Sequence, residues 1–300
     1  MRLGVVFPQT EIGPDVGAIR EYAQAVEELG YSHLLAYDHV LGASTASRPG
    51  WTGFYDLDDQ FHEPLTLFAY LAALTSTLEL VTGILILPQR QAALVAKQAA
   101  EVDILSGGRL RLGVALGWNA VEYEALGVSF AQRGVLIEEQ IELMRALWTN
   151  SAVSFAGSFH TVTDAGINPP PIQRPIPVWM GGGTDAVLRR IARVADGWIP
   201  TFRYRDADLS ALERLRGYAR QLGRDPSEIG LDGHVDARLA DEASWIGEVE
   251  GWRGLGATHA SVNTMGDGLV TVEQHIERLE RFGQTVGLAR QRRRSMGEGM

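Results

Sequence analysis

The feature that most constrains this chain is an alternation of strand and helix signals that recurs eight times. Short apolar, β-branched runs predict strands over residues 3–7, 33–37, 78–87, 109–116, 178–180, 197–200, 229–235 and 257–263. Between them, apolar residues recur with helical spacing, as at Ile19, Ala23, Val26 and Gly30. The same pattern predicts helices over 64–74, 92–105, 121–126, 132–148, 185–195, 209–222, 244–254 and 272–286. Strict alternation implies a parallel sheet with its crossover helices outside. Eight units in 300 residues fit a closed (β/α)8 TIM barrel. An open doubly wound sheet would want G-x-G-x-x-G after the first strand, and PQTEIGPD at 8–15 lacks it.

Residues 150–177 interrupt the pattern with five prolines and the alternating run VSFAGSFHTV. They read as a hairpin-containing insertion after strand four and helix four. Residues 1–288 are expected to form a single domain. Residues 289–300, with the basic run ARQRRR, are expected to form a flexible C-terminal tail.

Composition excludes several functions. No cysteine is present, so disulfides and thiolate metal sites are ruled out. A formal net charge of −10 disfavours nucleic acid. No apolar run approaches the length of a membrane span, and the run in MRLGVVFPQT is short and broken by Pro8. These absences lead us to expect a cytoplasmic protein. Lys97 is the sole lysine.

In a barrel of this kind, active sites gather at the C-terminal strand ends. Strand two ends abruptly as LLAYDHV, with Asp38 beside His39. Both groups are costly to bury unless paired or used, and that strand end places them at the site. Gly83 interrupts the aliphatic run VTGILILP, either as a packing glycine of the wall or where a ligand approaches closely. Gly117-Trp118-Asn119 follows strand four and either frames a planar ligand or makes a tight turn under Trp118. Glu122 and Glu124 are expected as surface charges of the next helix. Gly181, Gly182, Gly183 and Thr184 follow strand five and open a helix, which suits an anion or a flexible loop. His62, His160, His234, His259 and His275 are scattered and make no metal motif. His234 and His259 fall in late strands and either line the barrel or are satisfied core or rim histidines. No G-x-S-x-G elbow occurs. The loop 42–60 carries Trp51, Phe54 and Tyr55, which either cover the barrel mouth or pack on one another.

Taken together, GVVFPQ, YDHV, VTGILILP, GRLRLGVALGWNAVEYEALG and PVWMGGGTDAVLRRIARVADGWIP resemble the bacterial luciferase-like monooxygenase superfamily. More narrowly they resemble its coenzyme F420-dependent branch. The resemblance covers about residues 1–200. It implies a TIM barrel and an oxidoreductase that moves hydride between F420 and a small-molecule substrate. The alternative it leaves is an FMN-dependent monooxygenase supplied by a partner reductase, and a non-catalytic flavin-binding barrel is a third reading. By resemblance, Asp38 and His39 lie against the deazaflavin and His39 exchanges a proton with substrate. Gly83 and Ile84 back the ring, commonly through a cis peptide. Leu116, Gly117, Trp118 and Asn119 contact the ring edge or side chain, and Met180 with Gly181 to Thr184 binds the cofactor phosphate. No metal is implied, and a homodimer is. Leu67, Leu71 and Leu94 are candidates for core or interface. Sugar-phosphate dehydrogenases of this branch carry a glutamate directly after the strand-four glycine. Trp118 stands there instead, which argues against that substrate.

Overall fold

The computed structural model describes residues 1–204, 209–238 and 241–290. The basic run from 291 onward lies outside them. Strand β1 is Arg2–Val6, β2 His33–Ala36, β3 Glu79–Thr82, β4 Leu85–Ile86 and β5 Leu110–Ala115. After the insertion come β8 (Val178–Gly181), β9 (Gly197–Ile199), β10 (Gly230–Asp236) and β11 (His259–Asn263). The parallel order is β1-β2-β3-β5-β8-β9-β10-β11, and β1 pairs with β11 to close the ring. This is the expected eight-stranded barrel. The single strand predicted over 78–87 is instead two pieces, β3 and β4, with Gly83 and Ile84 between them and a cis peptide joining those two residues.

The helices lie where the apolar periodicity placed them. They are α1 (Val16–Glu28), α2 (Pro64–Leu74), α3 (Ala92–Ser106), α4 (Ala120–Ala125), α5 (Arg133–Thr149), α6 (Asp185–Val194), α7 (Leu209–Gln221), α8 (Glu242–Gly254) and α9 (Val272–Thr285). Their ends follow local chemistry. Asp15 caps α1 by accepting from Ala18 N, and Pro64 opens α2 at a position that needs no donor. Gly107 ends α3 in the left-handed conformation. Residues 150–177 form the expected hairpin, β6 (Val153–Ala156) against β7 (Thr161–Ala165). Glu139 of α5 fastens it by accepting from the N–H groups of Ser158, Phe159 and His160.

One apolar core fills the space between barrel and helices, with Val5, Phe7, Leu34, Phe68, Leu112 and Trp148 among its buried members. Leu67 and Leu71 belong to that core, whereas Leu94 is 52% exposed on α3. Alternate residues of the same strands point into the barrel. There Val6, Leu35, Val81 and Met265 make a separate apolar cluster.

The N-terminal half of the interior is polar. Arg111 Nη1 donates to Asp232 Oδ2 at 2.9 Å, its Nη2 lies 3.2 Å from Glu79, and its guanidinium stacks on Trp179. His33 Nε2 bonds Ser261 Oγ, which donates to Asp232 Oδ1. Burial and the Arg111 charge hold His33 well below the ordinary histidine pKa, so it is neutral. Large side chains fit because glycines face them. A Cβ on Gly4 would meet the His33 ring at 2.3 Å, and one on Gly197 would meet Trp179 at 2.2 Å. Among the described residues, no helix is long and apolar enough to cross a membrane.

Candidate active site

The polar and apolar layers leave the C-terminal end of the barrel open. A cavity of about 660 Å³ lies there, within the range of small-ligand sites. The end of β2 supplies Asp38 and His39 to its lining, and the break between β3 and β4 supplies Gly83 and Ile84. The turn after β5 gives Leu116, Gly117 and Trp118, and the end of β8 with its loop gives Gly181, Gly182, Gly183 and Thr184. Asn119 and Met180 are outside it. Met180 is fully buried in the core between β5 and β9. Asn119 is buried as the N-cap of α4, accepting from Val121 N and donating to Leu41 O.

Asp38 and His39 have different surroundings. Asp38 is 3% exposed, and its carboxylate accepts from Ile86 N at 2.9 Å and from Arg90 Nη2 at 2.6 Å. Burial raises its pKa, and Arg90 with the Ile86 N–H holds part of that rise back. Asp38 thus ties the end of β2 to β4 across the break. His39 faces the cavity. Its Nδ1 lies 3.2 Å from Glu122 Oε2. A carboxylate only accepts, so Nδ1–H donates and Nε2 is left toward the cavity. The ring packs against Phe61, Tyr55 and Trp118, with centroids 4.8, 5.3 and 5.5 Å away.

Glu122 overturns the expectation of a surface charge. Glu124 is exposed, but Glu122 is fully buried. One oxygen accepts from Val40 N at 2.7 Å and Leu41 N at 3.2 Å, and the other accepts from Gln89 at 3.3 Å. Burial pushes its pKa up, but the bonds from His39, Leu41 and Val40 outweigh that and hold the carboxyl below its usual value. Helix α4 turns this face inward because Asn119 fixes its start and Gly117 adopts φ +64°, which a side chain would oppose.

The loop after β8 has the form of an anion cradle. Thr184 is the N-cap of α6, yet its hydroxyl makes no cap bond, and the first N–H groups of a helix have no intrahelical partner. Gly182 takes φ +115°, and its carbonyl accepts from Trp198 Nε1 at 2.6 Å. A Cβ on Gly181 would meet Ile84 Cγ2 at 2.9 Å, so the glycine lets the two walls close up. Asp185, in the first turn, is drawn toward Arg189 and Tyr218.

A sequence model of the luciferase-like monooxygenase family matches residues 1–287. The chain belongs to that family. An uncharacterized protein from Mycobacterium tuberculosis is 33% identical over 88% of this chain and 92% of its own length. The FMNH2-dependent dimethylsulfone monooxygenase of Pseudomonas putida is 30% identical over 76% of this chain and 60% of its own. The structure of an F420-dependent secondary alcohol dehydrogenase superposes with TM-score 0.77 at 17% identity, covering 95% of this chain and 98% of that one, a likeness of fold. Luciferase-like enzymes are oxidoreductases, and this chain has a barrel with an open mouth cavity.

Polar residues of that cavity with no place in the sequence reading of the site include Arg203, Asp232, Ser261 and Asn263, and His234 lines it as well. A period-two signal existed for two of them: Asp232 and His234 alternate within a strand and therefore share its inner face.

Proposed function

We propose that this chain is an oxidoreductase that transfers hydride between coenzyme F420 and a small organic substrate. The observation that carries the reading is the Glu122-held His39, which presents Nε2 to the cavity. Bound in the barrel mouth, the deazaflavin gives or takes hydride and reacts poorly with oxygen, because carbon replaces the flavin N5. The chain's own part is to bind, orient and move a proton. Gly83 and Ile84 offer a flat wall to a ring, and Leu116 to Trp118 border it. The N–H groups at Gly183 and Thr184, with the free Thr184 hydroxyl, suit a phosphate. His39 Nε2 delivers a proton to a substrate oxygen, or removes one in the opposite direction. Glu122 keeps the ring oriented, and Trp118, Tyr55 and Phe54 keep water from the reacting atoms.

A second reading has specific support. The relative from Pseudomonas putida and the pyrimidine monooxygenase RutA of Escherichia coli, 34% identical over 206 residues, are both monooxygenases, the first named for FMNH2. In that reading FMN replaces F420, oxygen is a substrate and a partner reductase supplies the reduced flavin. Oxygen separates the two. Turnover with reduced F420 under strict anaerobiosis, unchanged on admitting air, supports hydride transfer. Turnover that needs oxygen and reduced FMN rejects it.

A further inference from the structure

The wall of the cavity opposite His39 holds a cation and an imidazole. Counting round the barrel, β9 stands four places from β2 in a ring of eight strands. Arg203 follows β9 and lines the cavity, and His234 comes from the neighbouring β10. Arg203 and His234 are joined by a backbone bridge. The Arg203 side chain is 43% exposed, and its Nη1 lies 3.0 Å from Asp236 Oδ2. That carboxylate does not depend on Arg203. Arg238 holds it through two bonds of 2.8 and 2.6 Å. Arg203 and Arg238 share this one carboxylate, Glu11 and Asp267 act on Arg238, and Arg203 is the cation that reaches the cavity lining. The carboxylates that line the cavity are already paired, Asp38 with Arg90 and Asp232 with Arg111. The His234 ring has no hydrogen-bond partner among the described residues, and burial lowers its pKa to about 4. It is therefore a neutral imidazole with a donor to offer. On the other side, Trp118 packs edge-on with Phe54, which is 83% exposed beside the cavity.

We propose that Arg203 and His234 form a subsite for a carboxylate on the substrate, whose apolar or aromatic body lies against Trp118 and Phe54. The guanidinium supplies a charge-assisted bond and the imidazole a second donor. The substrate class is then an organic monoanion that spans the mouth, with its reacting carbon toward His39. The proposal rests on the assignment of His39 as the proton-exchanging group for the direction of that span. Its own binding chemistry stands without a cofactor.

Isothermal titration of the full chain with benzoate and with benzamide tests it. Benzoate should bind at least about tenfold more tightly, the scale of one charge-assisted hydrogen bond. Arg203→Gln should abolish the preference, Arg203→Lys should restore most of it, and His234→Phe should reduce it several-fold. The Asp236–Arg238 pair keeps the Gln variant folded, which its unfolding midpoint reports. A parallel titration with F420 and FMN should show cofactor affinity unchanged in Arg203→Gln. Equal binding of the two probes, no binding of either at millimolar concentration, or a preference that survives Arg203→Gln would overturn the subsite. So would a loss of cofactor affinity in that variant, which would give Arg203 to the cofactor instead. Failure of F420 to bind while the benzoate preference holds would count against the hydride-transfer reading alone.

Discussion

His39 presents one nitrogen to the cavity because Glu122 takes the other. Removing the imidazole should lower turnover by roughly 10²–10⁴-fold, the usual size of an acid–base contribution. Glu122→Gln should lower it by about a hundredfold through misorientation. The two losses should not add in the double variant, because one residue acts through the other. Additive losses in steady-state kinetics would separate their roles. Glu122 also predicts a pH dependence. Its folded pKa lies below the usual 4.5, so the unfolded state binds the proton first as pH falls. Its contribution to stability is fully present above that value and is lost as pH drops through the lower folded one. The difference in urea unfolding between wild type and Glu122→Gln should be flat from neutral pH to about 4.5 and shrink below it. Sequence alone cannot show this residue's role. Glu122 and Glu124 look alike in VEYEA, and only contact with a loop 82 residues away separates them.

At the scale of elements, the site depends on how strand ends are held. Asp38 joins β2 to β4 and to Arg90, so Asp38→Ala leaves the Ile86 N–H without its acceptor and the mostly buried Arg90 with Glu63 alone. Breaking a buried pair in this way should cost about 3–5 kcal/mol in urea unfolding. A loss under 1 kcal/mol would reduce Asp38 to a spectator. Gly182→Ala forces a side chain into φ +115° and against Val187 at 3.2 Å, so it should disturb the α6 cradle and weaken cofactor binding more than it lowers the melting temperature. The elements themselves were legible, since period-two and helical spacing placed each strand and helix to within a few residues. The split of the third strand was signalled by Gly83 in VTGILILP. Asn119 was placed against the cofactor by the family resemblance. It is spent on capping α4, a role that becomes visible only once the helix start is fixed.

Across the whole molecule, the barrel carries a polar lower layer beneath an apolar one and an open mouth above. The Arg111–Asp232 pair illustrates why the lower layer was not read from sequence. Each sits among apolar and small neighbours in its strand, and a separation of 121 positions hides the partnership. Asp232→Ala should cost about 3–5 kcal/mol, whereas replacing both partners with apolar residues of similar volume should cost much less. Denaturant titration of the single and double variants checks the order. Leu94, the exposed member of the three candidate interface leucines, predicts a homodimer through α3. Sedimentation should show a dimer at micromolar concentration and a monomer for Leu94→Asp, and a wild-type monomer would remove the prediction. The most direct test of hydride chemistry is anaerobic titration of the purified chain with F420 and FMN in parallel. The account predicts F420 binding at micromolar Kd or tighter, about −8 kcal/mol, with FMN weaker. Tighter binding of FMN than of F420 would contradict it.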